Sequence, residues 1–139
     1  IRPGNFVFYD AEQYLFGACR WSDIAVALAC PVIALHPERG EAVVYGGAIH
    51  LSKDFYERPE GPMYGLVSLP DGKRWTPPLE GAWVDRVSQE HGILRLQPGD
   101  LANLHVGDLV CILPAHSCLT AQCMRHYLTS DGEWIEMMV

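Results

Sequence analysis

The chain has 139 residues, with 10 Lys+Arg against 17 Asp+Glu and a formal net charge of −7. An apolar share of 49% with 19% charged residues describes one globular domain able to bury a core, and the length excludes a complete (β/α)8 barrel of about 250 residues. No apolar run approaches the roughly 20 residues of a helical membrane span, and an acidic chain without a Lys/Arg cluster repels phosphate backbones, so neither membrane nor nucleic acid is an expected partner.

The opening IRPGNFVFYD has no basic stretch leading into an apolar one and no initiator Met, which points to a processed or excised fragment. Asn5 to Tyr9 reads as a first strand and Ala11 to Phe16 as a short helix. From Ile24 to Cys30 large residues occupy even positions and alanine odd ones, the alternation of a strand with one crowded and one tight face. Pro31 is expected to break or bulge it, because proline cannot donate to a ladder. The polar turn His36 to Glu41 then leads into Ala42 to Tyr45, making a hairpin that stops at Gly46-Gly47.

Further strands are expected at Met63 to Leu69, Ala82 to Ser88, Gly92 to Leu96 and Leu109 to Leu113, separated by turns such as Pro70-Asp71-Gly72-Lys73, Pro98-Gly99-Asp100 and Gly107-Asp108. Arg58 to Pro62 reads as a loop. Thr120 to His126 is the second plausible helix. Tyr127 to Ser130 and Trp134 to Met137 flank Asp131-Gly132, a strong hairpin signal. Seven to nine short strands with one or two short helices predict a mainly β domain, an antiparallel barrel or sandwich.

Five cysteines, at 19, 30, 111, 118 and 123, form no CxxC pair and no disulfide framework. Most read as buried, reduced thiols, which places the protein in a cytoplasm.

Three clusters could carry chemistry. Pro114 ends an apolar strand, so His116 and Cys118 follow at a strand exit; on extended backbone, residues two apart project to one side. Imidazole nitrogen and thiolate sulfur together suit zinc, and two protein ligands leave positions open for water or substrate. A lone HxC recurs by chance, however, and on spacing alone a rim histidine beside a buried thiol is the plainer reading. In Ser88-Gln89-Glu90-His91-Gly92 a carboxylate beside an imidazole suggests a general base or a partner orienting a metal-bound histidine, against a plain turn. In Gly46-Gly47-Ala48-Ile49-His50-Leu51-Ser52-Lys53-Asp54 the glycines allow close backbone approach, and Ser52 with Asp54 could cap or bind a polar group. Lys53 sits in a polar stretch and reads as solvated, not as a Schiff-base lysine. His36, His105 and His126 read as surface or packing residues. No phosphate loop, GxSxG elbow or HExxH is present.

Five ordered segments, RPGNFVFYDAEQ (Arg2 to Gln13), VVYGGAIHLSKD (Val43 to Asp54), SQEHG (Ser88 to Gly92), VGDLVCILPAHSCLT (Val106 to Thr120) and the terminal Asp-Gly hairpin, resemble the C-terminal domain of the fold-type III pyridoxal-phosphate enzymes that include D-serine dehydratase and D-threonine aldolase. The resemblance covers nearly the whole chain. It implies that residues 1–139 are a single C-terminal β domain whose N-terminal (β/α)8 barrel, with the cofactor lysine, is not in this chain. His116-Ser117-Cys118 matches the family's metal-binding HxC, which aldolases replace by HxD, and the cysteine form favours a dehydratase. The implied cofactors are a divalent metal, zinc, on His116 and Cys118, and pyridoxal phosphate in the barrel. The metal would act as Lewis acid on the leaving hydroxyl of a small D-3-hydroxy amino acid. Glu90, His91, Ser117 and His50 are candidates to line or brace the site, and no catalytic residue is assigned within the fragment. The implied partners are the parent's own barrel and a second subunit in a homodimer.

Alternatives from sequence are an aldolase-type or racemase-type member of the same family and a non-enzymatic β-barrel interaction module. An independent small metalloenzyme would need a third ligand, for which His91, His126 and Cys123 are the candidates.

Overall fold

In the computed structural model, which describes residues 4–137, the alternation that begins at Leu28 becomes the wall of a closed barrel. In chain order the elements are a 3-10 turn at Asn5–Val7, helix α1 (Ala11–Leu15), a 3-10 turn at Trp21–Asp23, strand β1 (Leu28–His36), a 3-10 turn at Pro37–Arg39, β2 (Glu41–Tyr45), α2 (Ala48–Leu51), β3 (Tyr56–Arg58), β4 (Gly61–Met63) and β5 (Gly65–Ser68). There follow β6 (Pro70–Asp71), β7 (Arg74–Trp75), β8 (Trp83–Val87), β9 (His91–Arg95), α3 (Pro98–Ala102), β10 (Leu109–Pro114), α4 (Ser117–Met124), β11 (His126–Leu128) and β12 (Trp134–Glu136). Six strands close in the order β1-β10-β5-β8-β9-β2, all neighbours antiparallel, while β3-β4, β6-β7 and β11-β12 are separate hairpins. The mainly β expectation holds, and a barrel rather than a sandwich is the outcome.

Period two explains the core. Leu28, Cys30 and Val32 of β1, Ala42 and Val44 of β2, Val67, Val84, Leu94, Val110 and Ile112 form one buried cluster. Alternate residues of β10 turn outward, so Leu113 packs with Ala11, Ile24, Met63 and Leu66 in a second cluster beneath α1. Gly92 belongs to the alternating pattern but has no room for a side chain, since a Cβ there would sit 2.7 Å from the Gly46 carbonyl oxygen. No helix among the described residues is long and apolar enough to cross a membrane.

Several expectations are corrected. Asn5 to Tyr9 is a turn, not a strand, because Phe8 and Tyr9 both donate their N–H to the Asn5 carbonyl, 2.9 and 2.7 Å away. Arg2 and Pro3 of that segment lie outside the described residues. Strand β1 begins at Leu28, not Ile24, and runs through Pro31. Pro31 is tolerated because it stands where the strand changes partners: Leu28–Pro31 pair with β10, and Val32 onward with β2, with a register shift between Val32 and Ala34. Arg58 to Pro62 is the tip of the β3-β4 hairpin. Helix α4 begins at Ser117, three residues before the expected start. Helix α3 begins at the expected Pro98-Gly99-Asp100 turn and α2 was not expected; at five and four residues both are too short to carry a 3.6-residue pattern.

Two contacts fix the ends of these short helices. The wholly buried Asp10 carboxylate accepts from Gln13 N–H (2.9 Å), from the Asn5 side-chain amide and, across 107 residues, from Ser117 N–H (3.1 Å). It therefore caps α1 and anchors the start of α4 together. Helix α2 docks its first amides on the β8-β9 turn, with Ala48 and Ile49 N–H donating to the Ser88 and Gln89 carbonyls at 2.8 and 3.1 Å. Gly47 makes that approach possible, for a Cβ would fall 2.4 Å from His91 N. His50 completes the cap by accepting from Gly47 N–H at Nδ1 (3.2 Å), so its ring is neutral with the proton on Nε2. Burial, opposed by the Glu90 charge, lowers the His50 pKa.

Asp10→Ala removes a cap and leaves a buried donor unmet, an expected loss of about 2–4 kcal/mol in urea unfolding; Asp10→Asn, which keeps an acceptor, loses less. A histidine with a lowered folded pKa binds protons more readily when unfolded, so its contribution is complete above the ordinary value of about 6.5 and declines as pH falls through the folded value. Stability measured across this range is expected to fall toward acid, and less steeply in His50→Gln.

Candidate metal site

Strand β10 leaves the barrel at Pro114, and Ala115 is still tied to its neighbour, donating N–H to the Tyr64 carbonyl at 3.0 Å. His116 comes next with extended backbone as the N-cap of α4. Ser117 is buried, its N–H taken by Asp10 and its hydroxyl without a hydrogen-bond partner among the described residues. Cys118 stands on the first turn of α4, exposed and free. The pair is thus held by a helix N-terminus and not by a continuing extended strand, as the spacing alone suggested. Exposure leaves the Cys118 thiol accessible.

The His116 ring is half-buried, and its Nδ1 lies 3.1 Å from Asp54 Oδ2. The Tyr127 hydroxyl has its pKa raised first by burial and then by Cys118. Asp54 is reached from α2, whose Leu51 carbonyl accepts from the Thr120 hydroxyl of α4 at 3.1 Å. The HLSKD segment and the AHSC segment are therefore neighbours in space.

The other candidates fall into separate places. His50 and His91 both pack edge-on against Tyr45, with ring centroids 4.9 and 6.1 Å away, and Glu90 lies close enough to act on His50. The Ser88 to Gly92 segment thus meets Gly46 to His50 at one end of the barrel, and its demonstrated work is to seat α2. Lys53 is exposed, as its polar surroundings implied. Of the proposed third ligands, His126 stacks on Trp134 (5.0 Å), His91 is engaged with Tyr45, and Cys123 is exposed farther along α4. Among the described residues no three His, Cys, Asp or Glu side chains group as a complete metal site. His36 and His105 lie beside Glu38 and Asp108 at 3.6 and 3.5 Å.

Cys30 and Cys111 are buried, Cys19 is intermediate and Cys118 and Cys123 are exposed, so the expectation that most thiols are buried holds for two of five. Burial pushes the Cys30 thiol up to about 12, with Cys111 adding to it, which keeps it inert. An apolar cleft of about 970 Å³ lies between residues 21–29, α4 and the β11-β12 hairpin, but neither His116 nor Cys118 lines it. Sequence reasoning missed Asp10 and Thr120 as supports, since no local pattern announces a contact over such separations. It gave Asp54, with Ser52, as a residue to cap or bind a polar group, without the His116 contact.

The donor set fits a thiophilic divalent ion: one imidazole with Nε2 facing away from its carboxylate neighbour, and one accessible thiol two residues on. Two donors leave the coordination sphere open.

Comparison with known proteins agrees with the fold and the motifs. A family model described as "Putative serine dehydratase domain" matches residues 25–130. D-serine dehydratase of Schizosaccharomyces pombe is 32% identical over 136 residues, spanning 95% of this chain and 30% of that protein. The solved structure of D-threo-3-hydroxyaspartate dehydratase from Delftia sp. HT23 superposes with a TM-score of 0.79 at 28% identity, covering 95% of this chain and 36% of that one. A cysteine-to-alanine mutant of the same enzyme, solved in the metal-free form, superposes equally well at 0.79. The chain spans about a third of the length of these relatives. With a family model covering most of its residues, this chain belongs to the serine dehydratase domain family.

Proposed function

We propose that this chain is the metal-bearing C-terminal β domain of a pyridoxal-phosphate-dependent lyase that dehydrates a small D-3-hydroxy amino acid. The observation that carries this reading is the pairing of His116 with an exposed Cys118 at the start of α4, in a chain similar to D-serine and D-threo-3-hydroxyaspartate dehydratases. Residues 1–139 form one domain of a parent whose other part, a (β/α)8 barrel, holds the pyridoxal phosphate; the parent is a cytoplasmic homodimer.

His116 Nε2 and Cys118 Sγ would hold a divalent ion, zinc, and the chemistry such an ion would supply there is Lewis acidity toward a substrate hydroxyl. His116 is approached from one side by Asp54, and Cys118 stands exposed on the first turn of α4, where an ion can reach it. Asp10, by accepting from Ser117 N–H, fixes the backbone between the two ligands. Two donors from this chain would leave the remaining coordination positions to other ligands. His50, with Glu90 and His91 on the turn that seats α2, would brace the site indirectly, through the packing of α2 against α4. Elimination, rather than aldol cleavage, is favoured by cysteine at position 118 and by the D-serine and D-threo-3-hydroxyaspartate dehydratases among the relatives.

Full-length enzyme is expected to release pyruvate and ammonia from D-serine and to lose that activity on chelation, with recovery on adding zinc. The His116→Ala/Cys118→Ala variant is expected to purify without stoichiometric metal and to lose more than the about 100-fold that removal of an outer partner costs. Equal metal content in the variant and the parent enzyme overturns the site.

A further inference from the structure

We infer that Asp54 is the positioning residue of the metal site, holding the His116 imidazole so that Nε2, and not Nδ1, is presented to the ion; this rests on the metal reading of His116 and Cys118. The primary observation is the 3.1 Å approach of Asp54 Oδ2 to His116 Nδ1. A carboxylate at that distance favours the tautomer with its proton on Nδ1. The lone pair is then on Nε2, the nitrogen turned away from the carboxylate.

The approach is built from both sides and is not a chance meeting of two surface groups. On the Asp54 side, α2 ends at Leu51, and Ser52 takes a left-handed backbone (φ 73) that a non-glycine residue adopts only where its surroundings impose it. Its hydroxyl accepts from Asp54 N–H at 3.0 Å, which fixes the carboxylate's backbone two residues on. On the His116 side, the carbonyl of the N-cap accepts from Thr120 N–H at 3.3 Å. Thr120 then ties the two sides together. Its buried hydroxyl lies 3.1 Å from the Leu51 carbonyl and 3.4 Å from the His116 carbonyl, so one side chain of α4 spans the end of α2 and the residue that bears the imidazole.

This explains the joint presence of two segments far apart in the sequence. Gly47 lets α2 sit on the β8-β9 turn, α2 aims Ser52-Lys53-Asp54 toward α4, and Asp54 meets His116. Lys53, between them, stays exposed and takes no part.

The test uses full-length enzyme. Zinc affinity is measured by competition with a chromophoric chelator at constant pH, and the metal environment is read from the absorption of the cobalt-substituted protein. Asp54→Asn, which keeps shape but loses the charge, is expected to bind zinc about 10–100-fold more weakly. The sulfur-to-cobalt charge-transfer band should persist, because Cys118 still ligates, while the ligand-field bands shift. Asp54→Glu is expected to recover most of the affinity, a rescue that a merely structural role for the turn would not give. Thr120→Val, which loosens the mounting but leaves the pair intact, is expected to cost less than Asp54→Asn. Unchanged affinity and spectrum in Asp54→Asn, alongside loss of metal in His116→Ala, overturns the assignment of Asp54 and leaves the metal site standing. Retention of full zinc affinity by His116→Ala overturns both.

Discussion

The buried carboxylate of Asp10 is the constraint on which the candidate site depends. It lies at the start of a five-residue helix near one end of the chain, yet it accepts the amide of Ser117, the residue between the two proposed ligands. A carboxylate wholly removed from water needs several donors, and here backbone and side-chain amides from two distant segments provide them. Meeting that requirement pins the start of α4 against the outside of the barrel. Where His116 and Cys118 point follows from it.

The barrel supplies the second half of the geometry. Six strands enclose a volume small enough for valine, leucine, alanine and glycine to fill, and closure leaves no open edge among them. Where β2 and β9 reach one end, a Cβ at Gly92 would fall 2.7 Å from the Gly46 carbonyl oxygen, and one at Gly47 would fall 2.4 Å from His91 N, so α2 can lie directly on the β8-β9 turn. Gly47 therefore acts at a distance from the candidate site, through the placing of α2 and the Ser52-Lys53-Asp54 turn that follows it. Outside the barrel wall an ionic cluster supports the same strands, with the buried Glu41 accepting from Arg86 at 2.5 Å and Arg95 bridging to Asp85 at 3.3 Å. Replacing one partner of such a half-buried set leaves the other uncompensated.

His116 and Cys118 bring an imidazole and a thiol, donor types that suit a thiophilic ion, to the start of one helix, and among the described residues no group of three or more His, Cys, Asp or Glu forms there. The chain spans about a third of the length of the dehydratases it resembles.

The mainly β class, the barrel wall around Leu28, the terminal Asp-Gly hairpin and the His116–Cys118 pair were legible in the sequence because each is local. Period two, turn residues and a two-residue ligand spacing need no knowledge of the rest of the chain. Other features depended on partners far away in sequence. Pro31 is accommodated only because β1 changes neighbours there, α2 is helical because the β8-β9 turn caps it, and Cys118 lies on a helix because Asp10 holds Ser117. The sequence by itself determined which side chains are chemically able to hold a metal; tertiary structure decided their exposure, the neighbour of His116 and the face each presents. Hydrogen bonds between segments up to 107 residues apart make those choices, and no pattern within a window of the chain encodes them.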